Sequence, residues 1–246
     1  MSSNGHKKLP IAEIFTSPQG EGQYAGTLMT FIRTAGCSVG KKMTAEERIH
    51  FSKLENVSSL PVYREKCTLY DGRTFACDTD FQTKEVLTID EILVQVPEGV
   101  EHICITGGEP LNHNLTELIM KARSKWLECH IETSGTVAIS NAYPDFITSD
   151  LVNESMDGWI WLTVSPKLGC LDSMIEIASE IKLLIDPAFD EKLVPVRIKH
   201  KSLVYIQPIN YEHSANVGNV KRCLDLQKQF PHWRISNQMH KELGVR

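Results

Sequence analysis

The sequence predicts an α/β protein built on parallel βαβ units, with its chemistry at the C-terminal ends of the strands. Two observations predict it. From residue 88 to residue 236, short runs rich in β-branched and aromatic residues alternate with runs of helical periodicity. That order is the one parallel units require. Four polar or Gly/Pro clusters then close or follow strand runs: Gly107-Gly108-Glu109-Pro110, Glu132-Thr133-Ser134-Gly135, Ser165-Pro166-Lys167 and Gln207-Pro208. In parallel sheets that edge carries the ligand site.

In chain order, residues 11–15 and 28–33 read as strands from their β-branched and aromatic content. The loop between them, Ser17-Pro18-Gln19-Gly20-Glu21-Gly22, has two glycines able to take positive φ. Residues 38–66 break the rhythm: they are polar, and residues 41–52 have the character of one surface helix. Thr88 and Glu91 make a capping box ahead of Ile92, Leu93 and Val96, so a short helix starts there. Residues 101–106 form a strand, after which Asn114 caps a helix with Leu115, Leu118, Ile119 and Ala122 on one face. Further strands are expected at residues 129–132, 146–147, 159–164, 181–185 and 203–207. A helix at 216–229 and a strand at 233–236 complete the order, with no repeat and no low-complexity tract.

Composition narrows the function classes. With 246 residues, 41% hydrophobic and 23% charged, the chain is an ordinary globular protein, expected as one domain over residues 1–246. Its net charge of −5 gives no broad basic footprint for nucleic acid. No apolar run approaches the roughly 20 residues of a membrane span, and residues 1–8 are polar, so a cytoplasmic location is expected.

In that reducing setting the seven cysteines read as metal ligands or packing groups before disulfides. Cys104, Cys129 and Cys223 lie in strand-like or helix-like runs and suit the core. Cys37, Cys67 and Cys77 have polar, turn-forming neighbours and are the candidate ligands. Thiolates are the usual ligands of iron–sulfur clusters, and a cluster held by three of them keeps one iron open to a small chelating ligand. By spacing alone, an unrelated trio or a zinc site reads better, because 29 residues (38–66) and nine (68–76) separate the three. Ligand pairs usually stand about two to four residues apart. Glycines in Gly107-Gly108-Glu109-Pro110 let a backbone approach a ligand, and the Glu109 carboxylate suits an ammonium group, although an ordinary strand-to-helix turn has the same look.

Nine short stretches raise these signals together. "SPQGEG", "FIRTAGC", "CDTDF", "TGGEP", "IETSG", "VSPK", "EIK", "YIQP" and "QMHK" occur in this order. The chain thereby resembles the 7-carboxy-7-deazaguanine synthases of the radical S-adenosylmethionine (SAM) superfamily over almost its whole length. The resemblance implies an incomplete parallel (β/α) barrel of the radical SAM type. It also implies a lyase that converts 6-carboxy-5,6,7,8-tetrahydropterin to 7-carboxy-7-deazaguanine and ammonia by a radical ring contraction, on the route to queuosine-type 7-deazapurines. The cofactors it implies are a [4Fe-4S] cluster, SAM and Mg2+.

Carried onto this chain, the resemblance makes Cys37, Cys67 and Cys77 the cluster ligands and Thr79 the magnesium ligand. Gly107, Gly108, Glu109, Ser165 and Lys167 would bind SAM. Gln19, Glu21, Arg33, Glu132 and His240 would contact the pterin. The chemistry suits these roles: Arg33 can pair with a carboxylate, and Glu132 can accept from ring N–H groups. Without the resemblance, a surface salt bridge for Arg33 and an edge hydrogen bond for His240 would be preferred.

The departure lies in the cysteine spacing. Family ligands usually have three and then two residues between them, whereas here Thr74 stands three before Cys77 and an insertion at about 38–66 opens the cluster loop. Closing the longer loops costs roughly 3 kcal/mol, against about 10 kcal/mol or more from structural metal binding. Asp71-Gly72-Arg73 is a natural turn to bring Cys67 back beside Cys77. Gln238, His240 and Lys241 fall in the last nine residues, so the chain's end is expected near the substrate. Two other functions are weighed. A glycyl-radical-enzyme activase would need an open apolar groove for its protein substrate, and a non-catalytic metal-binding protein would have no use for Ser165 and Lys167. The expected partners are the pterin, a flavodoxin-like electron donor and a second copy of the chain, with neither nucleic acid nor membrane.

Overall fold

The computed structural model describes residues 7–54, 65–77, 79–145, 158–210 and 216–245. The N-terminal part supplies strands β1 (Lys8–Pro18) and β2 (Leu28–Thr34), then β3 (Lys41–Lys42), helix α1 (Ala45–Leu54), β4 (Glu65–Thr68), β5 (Thr74–Cys77) and β6 (Glu85–Thr88). Helix α2 (Ile89–Leu93) follows, capped by Thr88 and Glu91 in the expected box. The alternating part runs through β7 (His102–Gly107), α3 (Thr116–Ser124), β8 (Glu128–Thr133), α4 (Ile139–Ala142) and β9 (Ile160–Val164). It continues through α5 (Asp172–Ile177), β10 (Glu180–Ile185), α6 (Val196–Lys199), β11 (Val204–Pro208), α7 (Val217–Gln229), β12 (Arg234–Ile235) and α8 (Met239–Leu243). The strand expected at residues 146–147 lies outside the described residues, as do residues 55–64 of the insertion.

Among the described residues, nine strands form one sheet in the order β12-β11-β10-β9-β8-β7-β2-β1-β6. From β12 to β2 every pairing is parallel. β1 pairs antiparallel with β2 and with β6, which βαβ periodicity did not foretell. This is the α/β architecture expected, a mainly parallel sheet consistent with a partial barrel.

Strand alternation separates the two faces. Ile103 and Ile105, Cys129 and Ile131, Leu162 and Val164, Ile181 and Leu183, and Val204 and Ile206 face the helices in one large core. The helices meet it with Leu118, Ile119, Leu226 and Cys223, all fully buried. The other residues of the same strands face inward. There Thr106, Glu132, Thr163, Lys182 and Gln207 are polar, and a small cluster of Met29, Phe31 and Cys104 is apolar. A sheet with one face given over to polar side chains needs something to line. The loop after β1 supplies it by crossing the open side: the Gly22 N–H donates to Ser236 Oγ at 3.0 Å, and the Gln23 N–H to Glu180 at 3.0 Å.

The described part of the insertion and the hairpin after it carry regular structure. β3, β4 and β5 make a separate antiparallel sheet, and a helix is present where residues 41–52 suggested one, displaced to Ala45–Leu54 because Lys41 and Lys42 pair with Lys66 and Glu65. The β4–β5 hairpin is tied to the barrel by Arg73. Its guanidinium pairs with Asp71 at 2.8 Å and Asp186 at 2.7 Å, donates to the Leu184 carbonyl at 2.9 Å, and covers the Phe189 ring. A bridge between Leu69 and Lys167 ties the same hairpin to the loop after β9.

Candidate active site

A cavity of about 500 Å3 opens at the C-terminal ends of the parallel strands. Of the residues singled out in the sequence, Gln19, Glu21, Arg33, Cys37, Cys67, Cys77, Thr79, Gly107, Gly108, Glu132, Ser165, Lys167 and His240 all line it. Glu109 does not.

The cysteines reach it from two elements. In the hairpin, Glu65 stands opposite Cys77 and Cys67 opposite Phe75. Opposed residues and residues two apart share a face, so Cys67 and Cys77 project together. Thr74, three before Cys77, projects from the other face and is exposed. The Asp71-Gly72-Arg73 turn closes this hairpin as expected, with the Leu69 N–H on the Arg73 carbonyl at 2.8 Å. Cys37 comes from the loop after β2, and its sulfur accepts from the Gly40 N–H at 3.3 Å. Burial pushes the Cys37 thiol up, while the N–H groups of Val39 and Gly40 pull it down.

The Gly107–Gly108 step is needed for the protein's own packing. A Cβ on Gly108 would lie 2.0 Å from the Gly36 carbonyl oxygen and 2.7 Å from Cys37 Cβ, and one on Gly107 would lie 2.2 Å from the Thr34 carbonyl oxygen. The N–H of Glu109 donates to Gly36 at 3.0 Å, locking this turn to the Cys37 loop. Gly108→Ala should therefore push the Cys37 loop outward at a cost of about 1–3 kcal/mol. The melting temperature should fall, and an unchanged value would refute the packing argument.

Glu109 is engaged by the protein's own donors. Its carboxylate is fully buried and accepts from the Leu111 N–H, from Thr133 Oγ1 at 2.7 Å, and from both the N–H and Oγ of Ser134. Those donors surround it, and one of them, Ser134, lines the cavity wall. Lys167 is buried, its ammonium donating to Ser165 Oγ at 2.8 Å and lying 5.6 Å over the Phe75 ring. Burial lowers its pKa, against the pull of Cys67 and Cys77.

The opposite wall is a charged network. Lys182 Nζ pairs with Glu21 and lies 3.9 Å from Glu132. Gln207 and Gln238 each donate to Glu21, at 2.9 and 2.8 Å. Gln19 Nε2 donates to Glu132 at 3.1 Å. Burial alone would raise the Glu21 carboxyl, but Lys182, then Gln238 and His240, bring it down to about 2. Burial alone would lower Lys182, but Glu132 and Glu21 carry it above its ordinary value. Arg33 Nη1 donates to Thr79 Oγ1 at 3.3 Å, and its Nε lies 3.8 Å from Glu13. Gly20 is a glycine of close approach without positive φ, since a Cβ there would lie 2.0 Å from His240 Nδ1. This contact seats α8, so that Gln238, His240 and Lys241 line the cavity as the chain-end reading expected.

Lys182 escaped notice in the sequence as a functional residue. Its signal was a cation inside the apolar run Ile181-Lys182-Leu183-Leu184-Ile185, a place where an unpaired charge is rarely tolerated.

The chain is similar to known proteins over nearly its full length. It is 31% identical over 244 residues to the 7-carboxy-7-deazaguanine synthase of Buchnera aphidicola subsp. Schizaphis graminum, covering 96% of this chain and 99% of that one. It is 28% identical over 251 residues to the enzyme of the same name from Escherichia coli K12, covering 97% and 99%. Its fold matches the crystal structure of QueE from Escherichia coli with a TM-score of 0.61, at 26% identity and 96% coverage of both chains. No protein-family model matches.

Proposed function

The chain belongs to the 7-carboxy-7-deazaguanine synthase family, and on that premise we propose that the cavity holds a [4Fe-4S] cluster and SAM against a carboxylated pterin. The enzyme is a radical SAM lyase of the queuosine pathway, converting 6-carboxy-5,6,7,8-tetrahydropterin to 7-carboxy-7-deazaguanine with loss of ammonia. The observation that carries the site assignment is one cavity lined both by three cysteines and by polar side chains from the loop after β1 and from β2, β8 and α8. Edged by Gln19, Glu21, Arg33, Glu132 and Lys182, it offers a pterin the polar contacts that an activase's apolar groove would not need.

The residues fit the implied groups. Three thiols lining one cavity, one already taking a backbone N–H, are the donor set of an iron–sulfur cluster with one open iron. The Gly107–Gly108 edge with Ser134, Ser165 and Lys167 would hold SAM, and Glu109 would position Ser134. Thr79 keeps a lone pair beside the one that accepts from Arg33, enough for Mg2+, which takes few protein oxygens and keeps waters. When bound, the cluster and SAM would supply the radical that removes a substrate hydrogen.

The chain's own residues then bind and orient. Arg33 and His240 would take the substrate carboxylate. Glu132, oriented by Gln19, would accept from pterin N–H groups. Glu21, held ionised by Lys182, would remain an acceptor across the neutral range. We extend the proposal to a single domain over residues 1–246 with the 38–66 insertion in its cluster loop, a homodimer and a flavodoxin-like electron donor. Among the described residues, no helix is long and apolar enough to cross a membrane.

The test is anaerobic purification, reconstitution with iron and sulfide, and assay with SAM, Mg2+, dithionite and the carboxy-tetrahydropterin. About four irons per chain and formation of the deazaguanine acid are expected. Zinc in place of iron would overturn the cluster assignment, and four irons without turnover would overturn the substrate assignment.

A further inference from the structure

At the other end of the parallel strands, a second group of metal-ligating side chains lies outside the site just described. β7 and β8 are parallel with His102 opposite Glu128 and Cys104 opposite His130. Glu128 and His130 are two apart on one strand and so share a face. His102 occupies the same inward face of β7 as Thr106, four residues nearer the strand's start. At about 3.3 Å per residue, that places His102 and Glu128 roughly 13 Å, and His130 roughly 7 Å, from the level of Thr106 and Glu132. We propose that His102, Glu128 and His130 form a Zn2+ site with an open fourth position.

The geometry is that of ligands already gathered. His102 Nδ1 lies 3.1 Å from His130 Nε2 and 3.4 Å from Glu128 Oε2, and one ligand atom from each of the three lies within 4.8 Å of the others. Two nitrogens bound to zinc at about 2.0–2.1 Å in a tetrahedron stand about 3.3 Å apart, so little movement is needed. Two imidazoles and a carboxylate are also a donor set zinc accepts with one position left for water. His130 is buried and held against its neighbours, so its ring is already fixed facing His102. Tyr24 closes the interior side, its ring edge-on to His130 at 4.5 Å and to Trp161 at 5.0 Å. Glu128 is 54% exposed and leaves the outer side open to an ion and its water. A bound ion would join β7 to β8 beneath the loop that carries Gln19 and Glu21.

Thiolates compete for the same metals, so the experiment uses the protein with its iron–sulfur cluster already in place. Co2+ serves as the coloured probe and Zn2+ as competitor. One Co2+ per chain is expected, with the visible bands of a four-coordinate nitrogen and oxygen site, no thiolate charge-transfer band, and displacement by Zn2+. Glu128→Gln and His102→Gln should each weaken binding by more than the roughly 10–100-fold that a ligand's outer partners are worth, with iron per chain unchanged. His130 is left alone because replacing a buried ring would disturb the barrel floor. Failure of the wild type to bind one ion, binding undiminished in both variants, or a charge-transfer band placing Co2+ on cysteine would each overturn the site. None of these readouts depends on turnover, so the result stands apart from the catalytic reading.

Discussion

Cys67→Ala should strip the protein of its iron and leave the chain folded. Cys67 is buried and shares a face of the β4–β5 hairpin with Cys77, so its loss removes one of three proposed corners and nothing on that face replaces it. The hairpin itself would stay in place, because its ties run through Arg73 to Asp186 and Leu184 and through the Leu69–Lys167 bridge. Losing one buried sulfur should cost the apo fold only about 1–2 kcal/mol. Iron should fall from about four per chain to near none, and the SAM-sensitive EPR signal should vanish with it. The control is Cys170→Ala. Cys170 is half-buried near Lys167 and Glu109, and burial pushes its thiol up to about 11, but it is not on the cavity wall. Its variant should keep its iron. If Cys67→Ala kept the cluster and Cys170→Ala lost it, the ligand assignment would be wrong.

Lys182→Met should be the most destabilising change in the cavity wall. It leaves Glu21, Glu132 and Glu180 facing one another with their shared cation gone. Breaking a buried pair on one side costs about 3–5 kcal/mol, or on the order of 10 °C in melting temperature for a chain of this size. The pH dependence separates this cause from lost packing. In the wild type the Glu21 carboxyl, with an ordinary value of 4.5, is held at about 2. A depressed carboxyl contributes stability that is fully present above 4.5 and lost as pH falls through about 2, on the order of 3 kcal/mol. Without Lys182, burial dominates and raises the same carboxyl, so the variant is relieved by protonation on acidification. The stability gap between wild type and variant should therefore be widest at pH 7 and narrow toward pH 4. Thermal melts across that range would check it, and a gap that stayed constant or widened in acid would mean the loss is one of shape.

Much of the scaffold was legible because it rests on local pattern. The capping box of Thr88 and Glu91, the apolar face of Leu118, Ile119 and Ala122, and Asn216 ahead of α7 all formed where short-range chemistry placed them. The Gly/Pro clusters after the strands met at one edge because parallel strands all end there. The antiparallel sense of β1 was not legible, since alternation reports that a strand has two faces but not which way its neighbour runs. β4 and β5 were hidden for a related reason: a four-residue strand stabilised by Arg73 and by contact with the loop after β9 carries little signal of its own. The partners of Glu109 were not legible, because its type announces a carboxylate while Thr133 and Ser134 reach it from 24 and 25 residues along the chain.

By itself the sequence determined the order of the main parallel strands and of helices α2, α3 and α7, the edge that holds the site, and the three cysteines with turn-forming neighbours. These follow from periodicities of two and 3.6 residues and from backbone preferences, which act within a few positions along the chain. Only the tertiary structure decided that residues 67 and 77 share a face, that Gly108 exists to admit the Cys37 loop, that Gly20 makes room for His240, and that Lys182 holds Glu21 ionised. Each of those is a contact between segments tens to more than 200 residues apart, or a turn whose closure is secured by such contacts. Charge, burial and close approach depend on distance in space, and spacing along the chain does not encode it.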